Sequence, residues 1–445
     1  MKGGIRLQIE FIIFIAMVAM FMIGAFLLKL PVSISMVLAS LVGALIGGHG
    51  IPMRHLVEGT FGYIDTILVI ATAMMFMNVI QESGALNTLS SLIVKKFHKK
   101  PVLLLILLMI IIMFPGMITG SSTAAVLSAG AIVAPVLITM GIPVANTGAI
   151  VAVGGILGMI APPVNVPAMI IGGGIDLPYV GFTVPLLLLT VPVAIFTVLY
   201  LGLKYVKNFD YETFQSNSEV SLEINYETSQ SNSEISLASN KGIKLYIPIL
   251  LVLFLMIATK LVPQIIPDLG MPLIFIIGTV VGLFTGKKVN LIKTAKEAVN
   301  STLPVLGILM GVGMFIQIMT LTGVRGFIVI NALSLPSVLL YLGIAIAIPA
   351  FGAVSAFGAA SVLGVPFLLA LLGKNEVLVA AALSFIAGTG DLVPPTALAG
   401  MFAAQVVGED NYFVVLKKCL IPGIAIILWG LFFIIFAEQI ATIIL

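Results

Sequence analysis

Asp391 is the residue whose position most needs a chemical reason. It stands in Gly388-Thr389-Gly390-Asp391-Leu392-Val393-Pro394-Pro395, inside a long apolar region. An ionisable group at membrane depth is expensive and by default marks a functional site. Consecutive prolines remove two backbone donors and disrupt the turn before them. Carbonyls between Gly390 and Val393 then become available to a hard cation, with Asp391 as a charged ligand or a protonatable coupling group. A second Pro-Pro, at Pro162 and Pro163, follows Gly158-Met159-Ile160-Ala161 and repeats the arrangement with Met159 where the aspartate would be. Asn165 and Thr396 lie just past the two breaks and add side-chain oxygens. Upstream of each break stands a small, hydroxyl-bearing cluster: Thr119-Gly120-Ser121-Ser122-Thr123, and Ser355-Ala356-Phe357-Gly358. At the tip of a helical hairpin such residues offer helix N termini to an anion, and C-terminal carbonyls to a cation. The candidate substrate contacts are therefore Gly120, Ser121, Ser122, Thr123, Asn165, Ser355, Ala356 and Thr396. Close helix packing is the competing role for such small residues; their recurrence beside a Pro-Pro break favours a site. No arginine falls among these residues, so an anion, most simply a carboxylate, would be held by backbone N–H groups, hydroxyls and bound cations.

Gly388-Thr389-Gly390-Asp391 also fits the GxGD pattern of intramembrane aspartyl proteases. That chemistry needs a second membrane aspartate to share a proton. Asp65 and Asp176 are the candidates, and neither follows a tyrosine directly. The protease reading also leaves the paired Pro-Pro breaks unexplained. HExxH, Walker A and GxSxG patterns are absent from the sequence, which gives no support to a metalloprotease, an ATP-driven pump or a serine hydrolase. The expectation is a protein that is not an enzyme and carries no cofactor beyond a coupling ion, sodium or a proton. A passive channel would need polar rings that the few charges do not supply.

The elements that must position these residues are membrane helices. Of 445 residues, 60% are hydrophobic and 9% charged, with a mean hydropathy of +1.24; soluble chains are about a quarter charged. The net charge of +3 does not suggest nucleic acid, and Cys419 is the only cysteine, so disulfides and cysteine metal sites are excluded. His49, His55 and His98 flank apolar segments and read as interfacial. Long apolar spans cover 9–29, 62–82, 183–203, 244–265, 303–320 and 421–443, with shorter ones at 33–48 and 272–286. The first reads as a membrane helix and not as a cleaved leader. Regions 101–175 and 337–407 are apolar but full of Gly and Pro, as expected where backbone lines a cavity inside protein.

The sequence divides into a first repeat at 1–203, a polar linker at 204–243 and a second repeat at 244–445. Residues 211–225 and 226–240 form a tandem Ser/Asn/Glu-rich duplication that reads as a disordered cytoplasmic loop. Gly43, Gly47, Phe76 and Gly84 recur as Gly282, Gly286, Phe315 and Gly323, each 239 residues later. The offset then slips to 234 for Pro115 and Ser121 against Pro349 and Ser355, and to 232 for Gly158 against Gly390. Charge changes sides between halves. The stretch 95–100 (KKFHKK) is basic and its counterpart 331–337 is uncharged, whereas 286–297 holds four lysines against Arg54 and two histidines at 47–58. Basic loops face the cytoplasm, so the halves are inverted. The expected fold is an all-α polytopic membrane protein of two inverted repeats. Each has about five crossings: three helices, a re-entrant hairpin (101–140 or 337–373), a broken helix (154–171 or 386–403) and a last helix. This scheme puts the N-terminus outside, despite Lys2 and Arg6.

The stretches GSSTAAVLSAGAIVAPVLITMGIP (from Gly120) and GGILGMIAPPVNVPAMIIGGGID (from Gly154) resemble the large permease subunit of TRAP transporters, the DctM-like branch of the ion transporter superfamily. The resemblance covers most of the chain outside 208–242. It implies a sodium-coupled secondary transporter of elevator type in the cytoplasmic membrane, carrying carboxylates such as C4-dicarboxylates or sugar acids. It implies one sodium site at Ser121, Ser122, Gly158 and Pro162, and another at Ser355, Gly388, Gly390 and Pro394, to which Asp391 is added. It also implies a small membrane subunit and an extracytoplasmic solute-binding protein as partners. The usual small polar residue after the first Pro-Pro is Val164 here, no partner is fused, and 208–242 is an insertion. A stand-alone anion symporter of the same superfamily, as a homodimer, is the alternative.

Overall fold

A computed structural model describes residues 2–206, 243–261, 264, 267, 269–285, 289–332, 335–394 and 396–444. The tandem duplication, Gly286, Lys287, Lys288 and Pro395 lie outside them.

The described chain is helical. A first series runs α1 (Lys2–Met22), α2 (Val32–Ile46), α3 (Met53–Phe61), α4 (Ile64–Ser83), α5 (Ala85–Phe97), α6 (Pro101–Thr119), α7 (Ser122–Thr139), α8 (Val144–Met159), α9 (Val166–Gly173) and α10 (Thr183–Gly202). A second runs α11 (Ile247–Leu261), α12 (Gly270–Thr285), α13 (Leu291–Leu321), α14 (Val324–Ala332), α15 (Ser337–Gly352), α16 (Ala356–Ala370), α17 (Glu376–Ala387), α18 (Leu398–Val407) and α19 (Tyr412–Ile435), followed by α20 (Ala437–Ile444). Among the described residues, seven helices are long and apolar enough to cross a membrane.

The two series share one order, with a single fusion. α13 does in 31 residues what α3 and α4 do in two pieces. At 1.5 Å per residue it is about 46 Å long, against an apolar layer of about 30 Å, so one end must leave the lipid. Its first turns carry the exposed Lys293–Glu297 ion pair, and the span expected at 303–320 is only the inner part of it. Two short helices, α5 and α14, run into the stretches 95–100 and 331–337 that the charge pattern assigns to loops. α5 holds Lys95 and Lys96 in its last turn, where cations suit the helix dipole. Gly84 and Gly323, at φ 83° and 77°, make the turns into α5 and α14. Both need the left-handed backbone that glycine adopts without strain.

Packing repeats the correspondence. α2 lies on α13, and its counterpart α12 lies on α4. A Cβ at Gly43 would touch Ile318, and one at Gly282 would touch Val79; Gly282 is Gly43 plus 239, and Ile318 is Val79 plus 239. Such exchange of roles is what a two-fold relation between halves produces. The helices form two groups. α1 to α4 pack with α11 to α14, chiefly through α2–α13, α3–α13 and α4–α12, and α5 follows α4 while lying mostly on α6. α6 to α10 pack with α15 to α19, chiefly through α6–α8, α8–α18 and α17–α19. In the first group α3 and α13 meet backbone to backbone, because a Cβ at Gly59 would sit 2.5 Å from the Gly313 carbonyl oxygen. Gly59→Ala is expected to destabilise the protein by about 1–3 kcal/mol. Gly326→Ala, with nothing within 4 Å, should instead stabilise the helix by about 0.4–1 kcal/mol; thermal melts in detergent compare the two.

Candidate functional site

The first hairpin tip is built by capping. α6 ends at Thr119, and Gly120 turns the chain at φ 64°. Ser121 caps α7, its Oγ accepting from the Ala124 N–H at 3.2 Å, and the Thr119 hydroxyl accepts from the Ser121 N–H at 3.2 Å. Such caps satisfy donors that a helix start leaves free. In the second tip Ser355 accepts from the Gly358 N–H at 3.3 Å. Both descending helices then pass through a π turn, Val126–Gly130 and Ala360–Gly364, 234 residues apart like the two serines. π turns concentrate at functional sites.

Each tip rests on the break of its own half. A Cβ at Gly116 would lie 2.8 Å from the Gly158 carbonyl carbon, and one at Gly352 would lie 2.7 Å from the Gly390 Cα. The chain past each break is strapped back to the same place: Val164 N–H to Met117 O at 3.1 Å, and Thr396 N–H to Ala353 O at 3.3 Å. These contacts pair Gly116 with Gly352 and Met117 with Ala353, an offset of 236. The Pro115–Pro349 match at 234 is therefore out of step with the contacts. The second tip is two residues shorter, and the register returns at Ser355.

The side chains then cross between halves. Ser122 Oγ donates to Asp391 Oδ2, and both residues are buried, at 3% and 6% exposure. Asn165, fully buried, donates through Nδ2 to Ile160 O at 2.8 Å and to Ser384 Oγ at 3.0 Å, while its Oδ1 accepts from the Ala168 N–H at 2.9 Å and so caps α9. α9 leaves its own hairpin and packs on α16, where Gly174 meets Val365 and Gly364 meets Ile171; α18 packs on α8 and on the π turn of α7. Both breaks and both tips thus form one buried unit. Gly120, Pro162, Ala356, Gly388 and Gly390 are buried within it, and Ser121, Thr123, Pro394 and Thr396 are half-buried. Asp65 and Asp176 are exposed, so neither shares a proton with Asp391.

Residues 12–444 match the family model of the DctM component of the tripartite ATP-independent periplasmic transporters. The chain belongs to that family. It is a DctM-like secondary transporter for small polar or ionic solutes, multi-pass in the plasma membrane, and not an enzyme. Its fold is similar to that of the Alcanivorax borkumensis YdaH transporter, described as having an unusual topology, with a TM-score of 0.59 and 14% identity over 87% of this chain and 90% of that one. At that identity the likeness is one of fold. No curated protein sequence matches the chain.

Within this DctM-type centre, several carbonyls expected to be free are engaged. Gly158 O accepts from the Ala161 N–H at 3.1 Å and Gly390 O from the Val393 N–H at 2.9 Å. Ile160 O takes the Asn165 amide, and Leu392 O takes the Tyr412 hydroxyl. Thr396 spends its hydroxyl on Ala353 O at 2.7 Å. The Asp391 carboxylate is the charged acceptor in this unit, and the Ser122 hydroxyl donates to it. Among the described residues no cluster of three His, Cys, Asp or Glu side chains could hold a metal ion. Ser384 and Tyr412 had no motif to announce them; an aromatic at the start of α19 has no sequence tie to a break twenty residues earlier. Asn165→Ala should cost about 1–3 kcal/mol, because it removes a helix cap and leaves Ile160 O unpaired. Asn165→Asp should keep the cap yet lose the donors to Ile160 and Ser384. A melt ranking parent above both variants checks this.

Proposed function

We propose that the chain carries a small organic anion of carboxylate type, a C4-dicarboxylate or a sugar acid, driven by sodium. In this reading 1–203 and 244–445 are inverted repeats joined by the cytoplasmic linker 204–243, and the tips at 119–123 and 355–358 are re-entrant. α1 to α4 and α11 to α14 hold position as a scaffold. α6 to α10 and α15 to α19 slide through the membrane with the bound solute. Sodium sits at two places, one near Ser121, Gly158 and Pro162, and one near Ser355, Gly388, Gly390, Asp391 and Pro394 that Ser122 completes from the other half through its hydrogen bond to Asp391. The anion lies between the tips, held by backbone N–H groups and hydroxyls, with Gly120, Thr123, Ala356 and Thr396 shaping its pocket and Asn165 fixing the wall. A small membrane subunit and an extracytoplasmic solute-binding protein deliver it.

The observation that carries the reading is the Ser122–Asp391 pair. A carboxylate buried in a helix break is costly unless something positive is due there, and a lone hydroxyl is a small compensation. Aspartate and hydroxyl oxygens suit a hard cation. Sodium chloride, titrated against potassium and choline chlorides at constant ionic strength, should raise the melting temperature of the purified protein selectively. At a hundredfold excess over Kd the gain is about 2.7 kcal/mol. Asp391→Asn should abolish the sodium-specific part. Equal responses to all three salts would count against sodium coupling.

A further inference from the structure

The two packed groups of helices meet across a surface with very few directional contacts. Between described residues, the side-chain hydrogen bonds linking distant elements otherwise fall inside one group. Thr294 to Glu82 lies in the α1–α4/α11–α14 group. Ser122 to Asp391, Asn165 to Ser384, Asn146 to Leu201, Lys374 to Ile434 and Ile435, and Trp429 to Leu188 lie in the other. The exception is Tyr63. Its hydroxyl donates to the Ile170 carbonyl at 2.8 Å, and Ile170 belongs to α9, just past the first break.

Tyr63 is fitted to this place from both sides. It forms the junction between α3 and α4 and is 4% exposed. A Cβ at Gly313 of α13 would lie 3.4 Å from its ring, and one at Gly173 of α9 would lie 2.7 Å from it. Glycines on both groups thus make room for one aromatic ring. The other close aromatic contact across the surface, Phe21 of α1 stacked on Phe351 of α15 at 5.2 Å between centroids, is apolar and has no donor to align. The equivalent of Tyr63 in the second half, 239 residues on, is Thr302, inside the unbroken α13 and bonded within its own helix. The device is therefore present once.

We propose that Tyr63 is a latch: its hydrogen bond to Ile170 holds the two groups in this arrangement and must break each time one slides past the other. This rests on the sliding motion of the proposed function and adds the residue that sets its resting state. One net hydrogen bond is worth about a two- to tenfold change in an equilibrium, so the latch biases the motion without freezing it.

The test uses the full chain in lipid nanodiscs, with spin labels at His49→Cys and Asp410→Cys. These sites are exposed loop positions on the two groups, and the native Cys419 is buried. Pulsed-dipolar distances are recorded in sodium and in potassium, for the parent, for Tyr63→Phe and for Gly173→Ala. Tyr63→Phe keeps the ring and removes the donor; Gly173→Ala presses a methyl group on the ring from the other side. Both should keep the melting temperature within a few degrees and shift population two- to tenfold into a second distance. If Tyr63→Phe fails to fold, Gly173→Ala decides. Distributions identical to the parent in the variants would overturn the latch. A parent distribution indifferent to sodium, beside variants that do shift, would support the latch and count against sodium-driven sliding.

Discussion

A buried carboxylate at a helix break is the constraint on which this fold turns. Asp391 sits in a short 3-10 turn at the end of α17, 6% exposed, with Ser122 of the opposite half as its hydrogen-bond partner. An isolated charge in that position would be prohibitively unstable, so the chain must bring a polar group to it from 269 residues away. The helices that carry Ser122 can reach Asp391 only if each hairpin lies on a break. The glycine pairs, Gly116 with Gly158 and Gly352 with Gly390, permit that approach.

The same constraint explains how the interrupted backbone is tolerated. Irregular chain at membrane depth survives only where protein replaces water as its hydrogen-bonding partner. Here Asn165 takes Ile160 O, Tyr412 takes Leu392 O, and Val164 and Thr396 are strapped to the ends of α6 and α15. Polar satisfaction is nearly complete around the breaks, and the carboxylate there, Asp391, is met by the Ser122 hydroxyl. The dense hydrogen bonding in this unit contrasts with the mostly apolar seam between the two helix groups.

Much of the architecture was legible in the sequence. Proline and glycine punctuate the chain at 115–123, 162–163, 349–358 and 390–394, and their physical effects are local, so the tips and breaks could be placed to within a few residues. Gly84 and Gly323, matched in the sequence at an offset of 239, both take a positive φ. What could not be read was long-range. Nothing in the sequence assigns Ser122 to Asp391 instead of to its own break, ties Asn165 to Ser384, or brings Tyr412 onto Leu392. α5 and α14 carry no apolar span of their own, being short and amphipathic beside longer apolar helices. The shortened second tip hid behind the Pro115–Pro349 match, since a proline in one helix can align by type while the backbone contacts run two residues out of register.

Equilibrium binding of radioactive sodium to the purified protein tests the central claim directly, in the parent, Ser122→Ala, Asp391→Asn and the double variant. If Ser122 and Asp391 serve one cation site, the double variant loses no more than Asp391→Asn alone, and Ser122→Ala weakens binding of a single sodium equivalent. Parent-level binding in Asp391→Asn, or losses that simply add in the double variant, would contradict the account.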